Sequence, residues 1–145
     1  MTATLKEALK QDDSPQSYGY AFHLVSLLST SDASSFLDYV EDIVAQADEV
    51  DGKYLQFSNG LFTTALVVDS SLALADRAGK AAPGLNANKV IQFANYLLSR
   101  RFATQVKLAG RLASALGAIA KNNVRFYLLF IVFFSAPVLS VFTIM

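Results

Sequence analysis

The sequence contains no cysteine and no tryptophan, and its one histidine is His23. Without cysteine the chain can form no disulfide framework and no thiolate metal site, and a cysteine nucleophile is excluded. His23 has no second histidine and no carboxylate at ligand spacing, so we interpret it as a core or interface residue. No other motif supplies a nucleophile or a phosphate-binding loop. The sequence therefore predicts a non-enzyme with no catalytic residue, no cofactor, no metal and no small-molecule substrate.

Basic residues are scarce near the start of the chain, and acidic residues are scarce in the rest. Residues 1–51 carry ten acidic side chains and two lysines, whereas residues 52–145 carry ten basic side chains against Asp69 and Asp76. Such a split indicates either that the two segments face different surroundings or that they pair with each other in one bundle. Both interpretations stay open. The balanced net charge, and the lack of aromatic residues between the basic ones, argue against a nucleic-acid partner.

Charged side chains are absent from residues 126–145, which read FYLLFIVFFSAPVLSVFTIM. Twenty helical residues span about 30 Å, the hydrocarbon thickness of a bilayer. The stretch therefore predicts a C-terminal single-span transmembrane helix, in which Pro137 is tolerated because neighbouring groups can satisfy the carbonyl that it frees. We expect this helix to anchor everything that precedes it.

Apolar residues three and four positions apart dominate the remainder of the chain. The fold class predicted is all-α, a helical bundle with a C-terminal single-span transmembrane helix. Helices are expected at residues 4–10, 15–28, 33–49, 54–75 and 89–120. Within 54–75 a strand and a second membrane span are the alternatives, and Asp69 argues against the span.

The domain prediction divides the chain at the expected membrane boundary. A helical extramembrane region covers residues 1–121 and a membrane anchor covers residues 122–145. Within the extramembrane region we distinguish an acidic segment (residues 1–51), a basic segment (residues 52–121) and a linker near 76–88. The linker is indicated by glycine, proline and asparagine residues, which favour turns.

Small residues recur along one predicted helix and indicate a helix-packing interface. They are Ala109, Gly110, Ala113, Ser114 and Gly117. Small side chains let helix backbones approach closely. Two glycines within a helix lower its stability, and close packing can offset that loss. The alternative is an alanine-rich helix that needs no partner. The interface is expected either within the chain or with another protein.

Basic residues precede the predicted anchor. They are Arg100, Arg101, Lys107, Arg111, Lys121 and Arg125. Lysine and arginine at the edge of a membrane helix fix its orientation and keep their side untranslocated. We therefore predict that these membrane-flanking residues hold the extramembrane region on the cytosolic or matrix side. The alternative is an ordinary solvated helix face.

The stretches KVIQFANYLLSRRF and KLAGRLASALGAI loosely resemble the basic amphipathic helices of peroxisomal membrane-elongation proteins. The resemblance covers less than a third of the chain and rests on common residue types. It implies a membrane-remodelling protein, which we keep as an alternative function, together with a small pore-forming protein in which 54–75 and 126–145 form a hairpin.

The main functional prediction is a non-catalytic, membrane-anchored accessory subunit of a multi-protein membrane complex. The expected partners are the other subunits of that complex and the lipid bilayer. A respiratory or ATP-synthase complex is the candidate, which predicts a mitochondrial inner-membrane location. A peroxisomal or other organellar membrane is the alternative location.

Overall fold

The computed structural model describes residues 1–102 and 105–122, and these residues are mostly helical. Its helices are α1 (Thr2–Gln11), α2 (Pro15–Ser26), α3 (Thr30–Phe36), α4 (Asp38–Val44), α5 (Leu61–Ala78), α6 (Ala87–Ser99) and α7 (Val106–Asn122). Strands β1 (Asp48–Val50) and β2 (Tyr54–Gln56) pair antiparallel between α4 and α5. The all-α prediction is confirmed for these residues, because each strand is only three residues long.

Serine side chains cap the first turns of two of the helices. Ser14 Oγ accepts a hydrogen bond from the Ser17 amide at 3.3 Å, and Pro15 is the first residue of α2. At the start of α3, Ser29 Oγ accepts from the Asp32 amide at 3.2 Å. Each bond satisfies an amide that has no carbonyl partner within its own helix. These local polar contacts fix where α2 and α3 start.

The single helix predicted over 33–49 is wrong, because the chain forms two short helices and then a strand there. Leu37 is buried at the junction between α3 and α4. Beyond α4, Asp51 and Gly52 have positive φ angles of 55° and 63°. Two consecutive residues of positive φ make a type I′ turn, for which Asp-Gly is a favoured pair. The pair therefore closes a β-hairpin, and residues 54–56 of the predicted helix 54–75 belong to β2.

Helix α5 is the central element, and it packs against α2 and α3 from earlier in the chain and against α7 from later in the chain. Helix α5 is buried over most of its surface, and two of its hydroxyl groups find partners inside the protein, whereas the buried Ser71 hydroxyl has none among the described residues. Thr64 Oγ1 donates to the Gly60 carbonyl at 2.9 Å and accepts from the Phe57 amide at 3.0 Å. Ser70 Oγ donates to the Leu66 carbonyl at 2.7 Å.

The closest packing against α5 occurs at Gly19 of α2. A Cβ atom at this position would lie 2.8 Å from Cγ of Leu66 and 3.3 Å from Cγ2 of Val67. Glycine therefore lets the two helices approach more closely than any other residue would. Around this contact, Phe22 and Val25 are fully buried, as their spacing predicts.

The helix predicted over 89–120 is two helices, so that prediction is also wrong in its boundaries. The Asn86 side chain caps α6 by accepting from the Lys89 amide at 3.0 Å, and α6 ends before Arg100. Because a second helix starts at Val106, its buried face does not continue that of α6. Phe102 and Val106, which the sequence places on one apolar stripe, are therefore exposed.

The predicted membrane anchor, from residue 123 onward, lies outside the described residues. Among the helices that the structure describes, including α5, none is both long and apolar enough to cross a membrane.

Candidate interaction surfaces

The predicted packing residues of α7 are all exposed, although Ser114 lies beside α5 and donates a hydrogen bond to Asp69 there. Core packing is provided by Leu112, Ala115, Leu116 and Ile119. The exposed residues include Ala109, Gly110, Ala113, Ser114 and Gly117. A Cβ added at Gly110 or Gly117 would meet no described atom within 4 Å. The described residues therefore do not bury this small-residue face, and an interface with another protein stays a prediction.

Two of the predicted membrane-flanking residues form ion pairs inside the domain. Arg111 Nη1 lies 3.2 Å from Asp69 Oδ2, and Ser114 Oγ donates to the same oxygen at 2.7 Å. Lys121 Nζ lies 2.7 Å from Asp76 Oδ2. Both pairs join α7 to α5, and the first neutralises the Asp69 carboxylate.

The other flanking residues lie at the end of α6 and near the start of α7. Arg100 stacks on Tyr96 at 5.8 Å and Arg101 on Phe102 at 4.6 Å, measured from the guanidinium carbon to the ring centroid. Lys107 is exposed. Arg125 lies outside the described residues. The structure thus brings Arg111 and Lys121 to α5 and leaves Arg100, Arg101 and Lys107 toward solvent.

An exposed apolar stripe on α2 is a feature that the sequence analysis does not predict. It consists of Tyr20 and Leu24 of α2 and of Leu27, the residue directly after the helix, which are 44%, 50% and 69% exposed, and we call it the α2 stripe. Tyr20 also contacts Phe62 of α5, with ring centroids 6.5 Å apart. The signal is present in the spacing of four and three residues, which places all three on one helix face. The stripe is overlooked when only one apolar face, the buried one, is assigned to α2.

Near the start of α2, two groups have shifted pKa values. Hydrogen bonds from the Ser17 hydroxyl, then from Ser14, lower the pKa of Asp12 below its usual value of 3.8. Burial, followed by the nearby Tyr39, raises the pKa of the Tyr18 phenol above 10.0. Ser17 Oγ donates to Asp12 Oδ2 at 2.6 Å, so the carboxylate is held within the turn that starts α2. Both shifts have structural causes.

The remaining candidates from the sequence are dispersed. Asp38, Glu41 and Asp42 are exposed on α4 and form a solvated face. His23 is half-buried on α2, and its backbone carbonyl accepts from Ser26 Oγ at 2.7 Å. Within residues 1–102 and 105–122, no three histidine, aspartate or glutamate side chains converge as metal ligands. Exposed helix faces are instead the main surface features of the described chain.

A family model of the ribophorin II N-terminal domain matches residues 1–120, which is most of the chain. The chain therefore belongs to the ribophorin II N-terminal domain family. Ribophorin II is a subunit of a membrane protein complex, the oligosaccharyltransferase, which is consistent with the prediction that other subunits of a membrane complex are partners.

The family corrects the predictions of complex and location. Ribophorin II indicates the endoplasmic reticulum membrane, so the mitochondrial inner membrane and the respiratory or ATP-synthase setting are wrong. The peroxisomal alternative and the membrane-remodelling and pore-forming alternatives are likewise set aside. The error arises because the apolar C-terminal stretch and the basic residues before it predict a membrane but carry no information about which one.

Proposed function

We propose that this chain belongs to a subunit associated with the oligosaccharyltransferase of the endoplasmic reticulum, and that it contributes binding surface and no catalytic group. The observation that carries the proposal is the family match over residues 1–120, which includes every described helix up to most of α7. The subunit would act by holding other subunits in place. The residues that carry this role are therefore surface residues that contact other subunits.

The α2 stripe supports this role. Leu24 and Leu27 are at least half exposed although they stand on a helix whose opposite side is fully buried. Transfer of such side chains from water to an apolar surface is worth about 25 cal/mol per Å². Contiguous exposed apolar residues of this kind mark contact sites between proteins more often than isolated ones do.

The small-residue face of α7 is a second surface for the same role. Its glycines leave room for a partner helix to approach the backbone closely, which is how small residues act in packed helices. The Arg111 and Ser114 contacts to Asp69 hold α7 firmly on α5, so the exposed face is presented by a fixed helix. A rigid face loses less conformational entropy on binding than a mobile one.

The experiment is purification of the tagged full chain from endoplasmic reticulum membranes in mild detergent, followed by identification of the proteins that copurify. We expect subunits of the oligosaccharyltransferase. Recovery of the chain alone, or only with subunits of an unrelated complex, would overturn the proposal.

Surface variants then locate the interface. Leu24→Ser with Leu27→Ser changes the α2 stripe, and Gly110→Leu with Gly117→Leu fills the exposed side of α7. Ile91→Ser is the matched control, because it replaces an exposed apolar residue on α6 away from both surfaces. We expect at least one double variant to lose the copurifying subunits while its circular dichroism spectrum is unchanged. Full retention by both would exclude these two surfaces.

A further inference from the structure

Helices α2 and α5 run in the same direction. Near the start of both helices, Thr63 Oγ1 donates to Gln16 Oε1 at 3.5 Å. Near their other ends, Arg77 Nε donates to the Leu28 carbonyl at 2.6 Å. The contacts therefore advance along both helices together, which defines a parallel pair.

Helix α7 continues this parallel arrangement on another side of α5. The partners of Asp69 and Asp76 are Arg111 and Lys121, so the ion pairs also advance along both helices in the same direction. Helices α2, α5 and α7 thus form a parallel layer in which α5 lies between the other two. Stacked helical units carry a polar outer face where the stack ends, because that face stays in water. The exposed residues of α2 and α7 therefore decide whether the layer ends there.

The two edges of the layer have complementary shapes. The α2 stripe presents a tyrosine and two leucines to solvent. The small-residue face of α7 presents Gly110, Ala113 and Gly117, and a Cβ at either glycine would meet no described atom within 4 Å. Both sets extend along about two helical turns, so each large side chain of one can lie over a small residue of the other. The contact of α2 with α5 already has this form, since Leu66 packs against Gly19.

The charges beside the two edges are also complementary. Asp13 is exposed at the start of α2, and Lys107 is exposed at the start of α7. Among the described residues neither forms an ion pair, and none of the ion pairs there joins the acidic segment to the basic segment. In a parallel contact between α2 of one copy and α7 of another, Asp13 and Lys107 would lie at the same end. The opposite net charges of the two segments would then attract each other between copies rather than within one.

We propose that a second copy of this chain is the partner of both edges, with the α2 stripe of one copy packed in parallel on the small-residue face of α7 in the next. The inference rests on the proposed function, because it names a partner for surfaces that are assigned there to binding. The two surfaces differ, so the contact is head-to-tail, and a pair of copies still presents one α2 stripe and one α7 face to other subunits. The contact removes leucine side chains from water, and the glycines let the two backbones approach closely.

Mixing two variants of the full chain tests the head-to-tail contact. Leu24→Ser with Leu27→Ser removes the α2 stripe and keeps the α7 face, whereas Gly110→Leu with Gly117→Leu fills the α7 face and keeps the stripe. In sedimentation velocity in mild detergent, each variant alone should be monomeric, and the mixture should form a one-to-one pair. The unchanged chain should form larger species that dissociate on dilution. A mixture that stays monomeric, or variants that associate alone as the unchanged chain does, would overturn the proposal.

Chemical cross-linking locates the contact, because the chain contains no cysteine and one introduced cysteine is then unique. Leu24→Cys and Ala113→Cys chains with different tags are mixed and treated with a short bismaleimide. A covalent heterodimer is expected in the mixture, and no covalent dimer is expected from either chain alone. Ile91→Cys, at an exposed position of α6, is the matched control and should link to neither chain. Linkage of Leu24→Cys chains to each other would show a back-to-back pair and overturn the proposal.

The same method tests the parallel orientation. Tyr20 lies in the first part of the α2 stripe, so Tyr20→Cys should link to Val106→Cys at the start of α7 and not to Lys121→Cys at its end. Val106 and Lys121 are both exposed. The reverse result would make the two helices antiparallel and overturn the arrangement.

The outcomes are separable from those of the proposed function. Both experiments use the purified chain without other subunits, so a failure of self-association would leave the copurification of oligosaccharyltransferase subunits unaffected. The cross-linker is also added to the copurified complex. Linkage of Leu24→Cys to another subunit, without linkage to a second copy, would assign the α2 stripe to that subunit and overturn the inference.

Discussion

Gly19 shows how one missing side chain determines the packing of two helices. We predict that Gly19→Ala destabilises the domain, because the new Cβ would lie 2.8 Å from the buried Leu66. Overpacking costs about 1–3 kcal/mol, and the better helix propensity of alanine returns up to about 1 kcal/mol of it. The measurement is the free energy of unfolding from urea denaturation.

Gly117→Ala is the control for that substitution. It makes the same chemical change in a helix, at a position where a Cβ meets no described atom within 4 Å. Only the higher helix propensity of alanine then acts, so the free energy of unfolding should rise by up to about 1 kcal/mol. Equal effects of the two substitutions would contradict the close approach of α2 to α5.

Asp12 is the residue for which the structure predicts a dependence on pH. Because hydrogen bonds from Ser17 and Ser14 lower its pKa below 3.8, the folded state binds the proton more weakly than the unfolded state does. The stabilisation is therefore complete above the unfolded pKa and is lost as pH falls through the lower, folded pKa. The wild-type chain should lose this stabilisation as the pH falls below 3.8, and Asp12→Asn should not show that loss. Thermal unfolding at a series of pH values measures it. An unchanged pH profile would contradict it.

At the scale of elements, the contact between α5 and α7 depends on Asp69 and Arg111. The side chain of Arg111 is 23% exposed and that of Asp69 is 13% exposed, so the pair is largely shielded from water. Removing one partner of a fully buried pair costs about 3–5 kcal/mol, and the residual exposure and the Ser114 hydrogen bond reduce this to about 1–3 kcal/mol. We therefore predict that Arg111→Met lowers the unfolding free energy by that amount.

Lys121→Met provides the comparison. The Lys121–Asp76 pair joins the same two helices, but its side chains are 69% and 53% exposed. Exposed ion pairs contribute about 0–1 kcal/mol, so this substitution should change stability little. If both variants lost the same unfolding free energy, burial of the Asp69–Arg111 pair would not explain the cost of removing Arg111.

The hairpin is the second element whose stability can be tested. We predict that Gln92→Ala speeds amide hydrogen exchange over β1 and β2, because Gln92 bonds both Glu49 and the Gly52 carbonyl. An isolated two-stranded hairpin is only marginally stable in water, so it depends on such contacts. Exchange in α5 should stay as it was, and Asn88→Ala should change neither region. Equal acceleration in both elements would indicate global destabilisation.

The elements that the sequence predicts correctly are those whose signals are local. Ser14 and Ser29 cap their helices within three residues, and the apolar spacing of Phe36, Val40 and Ile43 identifies the side that is buried. These features are set by neighbours in the chain, so pattern and propensity suffice.

The elements that it misses depend on ambiguous or distant signals. Asp51-Gly52 serves equally as the end of a helix and as a hairpin turn, and contacts with α6 decide between them. Between α6 and α7 the residues contain no glycine or proline to mark a break. The contact between the hairpin and α6 joins residues far apart in the chain, as the Gln92–Gly52 separation of 40 illustrates, so no local pattern indicates it.

At the scale of the whole molecule, no ion pair between described residues joins the acidic segment to the basic segment. Among the described residues, Lys10 pairs with Glu7 inside the acidic segment, and the pairs to Asp69 and Asp76 lie inside the basic segment. The acidic residues of α4 therefore remain on the surface with their charge exposed to solvent. Such a surface attracts a basic partner over a distance of about 10 Å at 0.1 M salt.

This distribution gives a prediction about association. Asp42→Asn, on exposed α4, should slow association of the chain with its purified partner subunits and weaken the dependence of that rate on salt, because surface charge acts mainly on the rate of encounter. Surface plasmon resonance at several salt concentrations measures both quantities. Glu7→Gln removes one charge that is already paired with Lys10 and should have less effect. Faster association of Asp42→Asn would mean that the acidic segment of the chain faces an acidic surface of the partner. The assignment of a basic partner surface to the acidic segment would then have to be reversed.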